Sequence, residues 1–258
     1  MNFPKQLFRF RPWSVLKRDR EGNVVERKCL SDLQDGVFYC SSPREFDDPQ
    51  DNQLGGHMTG SLLDMGRLIS HDFAGASELL RKHKHGSFVQ LPDEGTADSE
   101  DREIVASAAG RQHRRNSRVL CFSSDCMNEL MWAFYADNHR GVCLCFDTDH
   151  EFFHNAESVI YDHSPKDDLA ACKSLAWRFQ NEWRIILSGN EPRKVLFPKE
   201  KLVAIILGYR FSAPQLGDLE TVLIRGGYSV EILRVDRAPN SYEYFLSKVG
   251  SVPKPVSS

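Results

Sequence analysis

The sequence predicts an α+β fold in which helices flank a central mixed or antiparallel sheet. Short segments with alternating apolar residues recur along the chain and indicate strands, because side chains on a strand alternate between its two faces. Near the end of the chain, KLVAIILGYRF, APQLGDLETVLIRGGY and SVEILRVD have the patterns of a strand, a helix that Gly226 and Gly227 end, and a strand. The length of 258 residues fits one domain, since a chain of this size buries roughly 70% or more of its unfolded surface. We therefore expect residues 1–258 to form a single domain.

The beginning of the chain contains two strand signals and a polar loop. In LFRFRPW, phenylalanines alternate with Arg9 and Arg11, so the two arginines share one face of a strand that Pro12 ends. Residues 37–40 indicate a second short strand, directly after the turn residue Gly36. The motif SSPREFDDPQD then follows as a loop.

Residues 55–118 differ in composition from the rest of the chain. They contain the basic clusters RKHKH and RQHRRNSR, with the acidic run DEGTADSED between them. Apolar residues at helical spacing over 61–81 and 101–115 favour helices, and the acidic middle has the composition of a loop. We expect a helical, partly mobile insertion within the domain.

The segment after residue 117 is densely apolar and indicates most of the sheet. Cys143 and Cys145 alternate onto one face of the strand GVCLCFD. In the helix NELMWAFYADN, we expect Leu130, Met131 and Phe134 to face inward. The remaining predicted elements are the strand RVLCFSSD, the short strand VIYD, the helix LAACKSLAWRFQ and the strand NEWRIILSG.

Composition and charge exclude several classes of protein. The 33 Lys and Arg residues against 36 Asp and Glu residues give a net charge of -3, whereas a dedicated duplex-binding domain has a basic excess. The 16 Phe, 7 Tyr and 4 Trp residues disfavour a disordered chain. No apolar run approaches the roughly 20 residues of a membrane span. We therefore expect a cytoplasmic protein that does not bind membranes.

The cysteines indicate packing residues rather than a disulfide framework or a metal centre. There are 7 of them, an odd number at irregular spacing. Neither Cys121 with Cys126 nor Cys143 with Cys145 provides the repeated, paired spacing of a structural zinc site. We expect no bound metal.

An ordered series of motifs resembles the domain of unknown function 2971 family of bacteria. The motifs are LFRFRP, FYCSSPREFDDPQD, LCFSS, LMWAFYADNHRGVCLCFD, VIYD and WRFQNEWR followed by VAIILGYR. They cover nearly the whole chain outside residues 55–118. The family usually has asparagine at the position of Asp47 and a carboxylate at that of Gln180, whereas its second carboxylate, Glu182, is kept. The resemblance implies no established activity, and it suggests a bacterial origin and a role in toxin or defence systems.

The element formed by Gln180, Asn181 and Glu182 is similar to the glutamine-x-glutamate element of some ADP-ribosyltransferases. In an extended chain the side chains of Gln180, Glu182 and Arg184 share one face. Cleavage of the bond between nicotinamide and ribose in NAD develops positive charge on the sugar, and a carboxylate bound to the adjacent hydroxyl stabilises that charge. The similarity implies an ADP-ribosyltransferase-like fold and this role for Glu182, with NAD as co-substrate and a protein or nucleic acid as the acceptor.

The order of the other motifs adds candidates for the rest of a transferase site. ADP-ribosyltransferases place an early arginine or histidine on their first strand, and a guanidinium suits phosphate or ribose oxygens. A serine pair and an aromatic side chain would line a nicotinamide pocket. The predicted catalytic residues are Glu182, Gln180 and Tyr135, and the predicted cofactor-binding residues are Arg9, Arg11, Ser123, Ser124 and Ser42.

Three other interpretations are open at the level of the sequence. In the first, Glu182 and Arg184 form an ion pair at the surface or between strands, without a catalytic role. In the second, RKHKH and RQHRRNSR contact the phosphates of a nucleic acid or bind another partner, without catalysis. In the third, Asp47, Asp48 and Asp51 hold a divalent cation for hydrolysis together with some of the histidines, although Asp before Pro is also an ordinary turn signal.

Overall fold

The computed structural model describes residues 3–14, 16–18, 24–46, 48, 51, 118–162, 172–187 and 192–253. Its strands are β1 (Gln6–Arg11), β2 (Leu16–Arg18), β3 (Val24–Arg27), β4 (Val37–Tyr39), β5 (Arg118–Ser123), β6 (Val142–Asp147), β7 (Glu157–Ser158), β8 (Ile160–Asp162), β9 (Cys172–Ser174), β10 (Glu182–Leu187), β11 (Lys194–Leu196), β12 (Leu202–Leu207), β13 (Val230–Arg237) and β14 (Tyr244–Val252). Its α-helices are α1 (Lys28–Asp35), α2 (Glu129–Tyr135) and α3 (Ala213–Arg225).

A mixed sheet of eight strands organises the described part of the chain. The strand order is β14-β13-β12-β6-β1-β5-β10-β7. Neighbouring strands are antiparallel except for the parallel pair β12 and β13. Smaller ladders join β4 to β11, β2 to β3, and β8 to β9. The predicted α+β class with a mixed, mostly antiparallel sheet is thus confirmed, and the described residues contain more strand than helix.

Strand β1 lies between β6 and β5, and its alternating side chains separate two hydrophobic clusters. Leu7 belongs to the larger cluster on one face, together with Phe122 and Phe146. Phe8 and Phe10 belong to the second cluster on the other face, beneath helix α2. The face that carries Arg9 and Arg11 is therefore buried as well, because helix α1 and strand β4 cover it with Leu33 and Phe38.

The cysteines of strand β6 are packing residues on the second face. Cys145 lies opposite Phe8 and Cys143 lies opposite Phe10, so the predicted shared face is confirmed. Burial raises the pKa of the Cys143 thiol, and it raises the pKa of Cys145 to about 12. Both thiols are protonated at neutral pH and behave as small apolar groups.

The predicted strand, helix and strand near the end of the chain are confirmed as β12, α3 and β13. The two strands pair in parallel, which requires a crossover connection, and α3 supplies it. At the start of α3, the Oε1 atom of Gln215 accepts a hydrogen bond of 2.8 Å from the backbone N–H of Ser212. The helix ends at Gly226, and Gly227 has a φ of 71°, which glycine adopts at little cost.

The inward face predicted for α2 is wrong at two of its three positions. Met131 is buried, but Leu130 and Phe134 are 45% and 67% exposed, and Trp132 is buried in their place. Asn128 explains this rotation, because its Oδ1 atom caps the first N–H groups of the helix while its amide donates to a carbonyl of the turn before β10. A tertiary contact thus sets which side of α2 faces the sheet.

The helix predicted from LAACKSLAWRFQ is wrong over its described part. Cys172–Ser174 form β9, which pairs with β8, and Leu175–Gln180 form a 3-10 turn. The Ser174 side chain accepts a hydrogen bond from the N–H of Ala176, the second residue of that turn, a local bond that competes with a continuous helix. Asn181 follows with φ 44° and ψ 49°, a left-handed conformation that asparagine tolerates. The chain then enters β10 directly.

The insertion predicted at 55–118 lies outside the described residues, apart from Arg118 at the start of β5. The basic clusters RKHKH and RQHRRNSR belong to this segment, so the nucleic-acid interpretation stays a prediction. No described helix is long and apolar enough to cross a membrane.

Candidate functional site

A cavity of about 210 Å³ lies on the face of the sheet that carries Phe8 and Phe10. Its wall includes residues 41, 45, 46, 48 and 51, together with parts of strands β5 and β9, helix α2 and the turn before β10. Five of the eight predicted site residues line it: Glu182, Gln180, Tyr135, Ser123 and Arg9. Residues far apart in the sequence therefore meet around one cavity.

Glu182 is the first residue of β10, opposite Ser123 of the neighbouring strand β5. Its carboxylate is buried and forms an ion pair with Arg184, which lies two residues further along the same face. Arg184 Nε donates to Oε1 at 2.8 Å, and Nη2 donates to Oε2 at 3.2 Å. The ion pair between Glu182 and Arg184 is thus present, but it is buried and lies within one strand, and not at the surface or between strands.

A second carboxylate, that of Asp51, completes the neutralisation of Arg184. The guanidinium is 0% exposed, and its Nη1 and Nη2 atoms donate to Asp51 Oδ1 and Oδ2 at 2.9 and 2.6 Å. This paired geometry is the strong form of the arginine–carboxylate interaction. The ring of Phe46 lies 5.2 Å from the guanidinium carbon. These contacts attach Phe46 and Asp51 to strand β10.

Lys173 of strand β9 is the second cation of the site. Its Nζ atom lies 2.6 Å from Gln180 Oε1, 3.1 Å from Glu182 Oε2 and 3.0 Å from Asp51 Oδ2. The indole ring of Trp177 lies 5.0 Å away. The side chain is 7% exposed, so the protein itself solvates this ammonium group.

The four charged groups balance one another. Burial by itself would raise the pKa of Glu182, but Arg184 and Lys173 outweigh it and hold that pKa below its usual value. Burial would lower the pKa of Lys173, but Glu182 and Asp51 outweigh it and hold that pKa above its usual value. At neutral pH Glu182 and Lys173 are therefore both ionised.

This balance predicts a loss of stability in acid. Because the pKa of Glu182 is lower in the folded state, its contribution to stability is present above the unfolded pKa and is lost as the pH falls through the folded one. We expect the free energy of unfolding to fall between about pH 6 and pH 3, and to fall less steeply in Glu182→Gln. Urea titrations at several pH values measure this, with the exposed Glu231→Gln as control. Equal slopes in wild type and Glu182→Gln would contradict the assignment.

Gln180 and Tyr135 form the side of the cavity next to Lys173. Gln180 Nε2 donates to Tyr135 Oη at 2.6 Å, so the amide bridges the lysine and the tyrosine. The left-handed residue Asn181 turns the chain between Gln180 and Glu182. Both side chains reach the cavity for this reason, although Gln180 ends a 3-10 turn and Glu182 begins a strand.

Arg9 lines the cavity, but its donors bind backbone carbonyls. Strands β1 and β5 pair only at Phe8 and Ser123, and the Arg9 guanidinium occupies the gap beyond that point. It donates to the carbonyls of Cys121 and Tyr39 at 3.1 and 2.9 Å. Burial, with Arg11 nearby, lowers the pKa of Arg9 to about 10. The arginine is therefore buried, and it connects β1, β4 and β5.

Arg11 lies away from the cavity, on the same face of β1 as Arg9. It forms an ion pair with Asp32 of helix α1. Ser42 does not line the cavity either. It is buried, and its N–H donates to the carboxylate of Glu45 in a capping box at the start of a 3-10 turn. These two predicted cofactor-binding residues therefore have structural contacts instead.

The serines of strand β5 hold the turn that precedes β10. Ser123 Oγ donates to the carbonyl of Gln180 at 2.7 Å and is fully buried. Ser124 Oγ lies 3.4 Å from the carbonyl of Asn181, and it borders a neighbouring groove rather than the cavity. That groove has a volume of about 1070 Å³, shares Phe8 with the cavity, and is also bordered by Lys5 and His154.

Sequence reasoning missed Lys173 as a site residue and gave Asp51 a different role. Lys173 lies in a segment with helical propensity, and no local pattern predicts that its side chain is buried. Asp51 was a candidate metal ligand, but its carboxylate contacts Arg184 and Lys173. Asp48 is buried at the cavity wall, and Asp47 lies outside the described residues. The described part of the chain contains no group of three or more His, Cys, Asp or Glu residues arranged to hold a metal ion.

Comparison with protein-family models, with curated proteins and with solved structures gives no match.

Proposed function

We propose that the cavity receives the nicotinamide and ribose of NAD and that the protein transfers ADP-ribose to an acceptor. The observation that carries this proposal is the meeting of Glu182, Gln180 and Tyr135 around one cavity, joined by the bonds from Gln180 to Lys173 and Tyr135. The order of motifs, which is similar to that of ADP-ribosyltransferases, supports it. On the same motifs we infer membership of the domain of unknown function 2971 family.

The chemistry requires a carboxylate next to the ribose. The bond between C1′ of the ribose and the nicotinamide nitrogen breaks, and the electron pair leaves with nicotinamide. Positive charge then develops on the sugar until the acceptor attacks C1′ and loses its proton. Glu182, ionised because of Arg184 and Lys173, would bind a ribose hydroxyl and stabilise that charge. A hydroxyl that approaches Oε2 would share this atom with Lys173.

The size of the cavity suits one end of a dinucleotide. Its volume of about 210 Å³ is below the roughly 300–1,000 Å³ of pockets for drug-sized ligands. Aromatic and apolar side chains, including Phe10, Met131 and Tyr135, give it a surface that a flat pyridine ring can contact. The adjoining groove of about 1070 Å³ offers room for the phosphates and adenosine, with Lys5 as a cation at its edge.

The test uses NAD labelled on the adenylate side, incubated with the purified protein and a cell lysate. We expect label to enter a macromolecule and nicotinamide to be released. Glu182→Gln keeps the size of the side chain and removes its charge, so we expect the rate to fall at least about a hundredfold. The matched control is Glu231→Gln, an exposed change on strand β13 that should retain the wild-type rate.

Calorimetry with NAD distinguishes binding from turnover in the same preparations. Glu182→Gln should bind NAD within about tenfold of wild type, because the carboxylate acts chiefly on the transition state. If wild type neither binds NAD nor releases nicotinamide, the proposed function is wrong.

A further inference from the structure

The charged network contains a chain of hydrogen bonds whose direction can be assigned from donor chemistry alone. An ammonium group has donors and no acceptor, whereas a glutamine amide has one end of each kind. Lys173 Nζ lies 2.6 Å from one end of the Gln180 amide, and Tyr135 Oη lies 2.6 Å from the other. The end that faces Lys173 must be the oxygen, because an amide nitrogen there would place an N–H donor against the N–H donors of the ammonium group.

This assignment determines the role of every member of the chain. With Gln180 Oε1 held by Lys173, Nε2 points to Tyr135 and donates to its oxygen. The remaining ammonium contacts, to Asp51 and Glu182, hold Lys173 in place. All three donors of the ammonium therefore have acceptors, and these come from two distant parts of the chain, Asp51 and the segment of Gln180 and Glu182.

We infer that Lys173 is a positioning residue, which orients the Gln180 amide and thereby sets the position of Tyr135 on the cavity wall. In this chain of hydrogen bonds, Lys173 influences the position of Tyr135 only through the Gln180 amide that lies between them. Its effect on turnover rests on the proposed function, whereas its effect on Gln180 and Tyr135 does not. Without the ammonium group, the Gln180 amide can rotate by half a turn, because its NH2 group is then no longer excluded from the position that Oε1 occupies.

A double-mutant cycle tests the coupling. Lys173→Met removes the ammonium and keeps most of the stem, and Tyr135→Phe removes the acceptor. Each single change raises the unfolding equilibrium constant by some factor, and independent changes would raise it by the product of the two factors. We expect the double variant to fall short of that product by at least about fivefold. In a Gln180→Met background, which removes the connection, the effects of the two changes should multiply. If they multiply in the wild-type background too, the inference is wrong.

Two further variants separate this role from a general effect of charge or folding. Lys173→Arg is also a donor only, so it should keep the coupling. Lys248→Met removes an exposed lysine paired with Glu231, and its effect should multiply with that of Tyr135→Phe. If Lys173→Met does not fold, Lys173→Gln replaces it in the cycle, because a neutral amide can present either end to Gln180.

The side-chain amide of Gln180 gives a direct spectroscopic readout. Its nitrogen-15 NMR signal is identified by its disappearance in Gln180→Met. We expect the signal to lie in the hydrogen-bonded range in wild type and in Lys173→Arg, and to move toward that of exposed glutamines in Lys173→Met. An unchanged signal in Lys173→Met would overturn the inference.

Turnover of NAD provides the functional readout. We expect Lys173→Met to lower kcat by about tenfold while KM for NAD changes by less than about twofold, and Lys173→Arg to recover most of the loss. A change in KM alone would contradict a positioning role. If wild type does not use NAD at all, the proposed function fails, while the cycle and the amide signal still decide the role of Lys173.

Discussion

Replacing Arg184 with methionine is expected to lower the free energy of unfolding by about 3–5 kcal/mol. The guanidinium is 0% exposed, and it neutralises both Asp51 and Glu182. Methionine fills much of the same volume, so the loss comes mainly from two buried carboxylates that keep only Lys173 as a counter-charge. Urea unfolding of both proteins at neutral pH measures the difference.

An ion pair at the surface provides the matched control for this prediction. Lys248 and Glu231 lie 2.6 Å apart, but their side chains are 60% and 54% exposed. Lys248→Met should therefore cost less than about 1 kcal/mol, because water solvates the remaining carboxylate. If Arg184→Met costs no more than Lys248→Met, the buried network does not stabilise the fold as described.

A second change locates the origin of the effect. Asp51→Asn removes one of the two carboxylates that Arg184 neutralises, so Arg184→Met should cost less in that background. The double-mutant cycle should give a coupling of about 0.5–3 kcal/mol. Additive effects would mean that the contact between Arg184 and Asp51 does not contribute to stability.

The same contacts explain how the cavity obtains its outer wall. Ser41 and Asp51 are both attached to the sheet. Ser41 exchanges backbone hydrogen bonds of 3.0 and 2.8 Å with Val119 of strand β5, and Asp51 binds Arg184 of strand β10. Phe46 and Asp48, between these points, line the cavity. Stability and the candidate site therefore depend on one network.

Local patterns in the sequence predict most of the strands that form the sheet. The alternation in LFRFRPW and GVCLCFD indicates β1 and β6, and the sequence near the end of the chain indicates β12, α3 and β13. These predictions succeed because period and turn residues are properties of short segments. The sequence also indicates Gln180 and Glu182 as a pair of candidate site residues, because both lie in one short motif.

Strand order and the partners of buried charges depend on contacts between distant segments. Nothing local indicates that β1 lies between β6 and β5, or that Arg9 fills the gap where β1 and β5 separate. The bond between Asp51 and Arg184 joins residues 133 positions apart. Lys173 is similar, because its neighbourhood favours a helix until pairing of β9 with β8 is taken into account. Tertiary contacts override local propensity at these positions.

Replacing Phe38 with alanine is the second change expected to have a large effect. Phe38 is 2% exposed, and its ring centroid lies 4.6, 5.1, 5.5 and 5.8 Å from those of Phe197, Phe146, Phe122 and Phe152. Truncation removes favourable burial and leaves a cavity that rigid neighbouring rings cannot fill. We expect the free energy of unfolding to fall by about 3–5 kcal/mol.

The size of this effect should follow from burial and not from the loss of an aromatic ring as such. Phe134 is 67% exposed on helix α2, so Phe134→Ala should change stability by less than about 0.5 kcal/mol. Phe38→Leu should cost less than Phe38→Ala, because leucine refills part of the space. Since the Arg9 guanidinium lies 5.1 Å from the Phe38 ring, the alanine variant also opens space beside a buried cation that connects β1, β4 and β5. Equal urea midpoints for Phe38→Ala and Phe134→Ala would show that β4 does not close the core on this face.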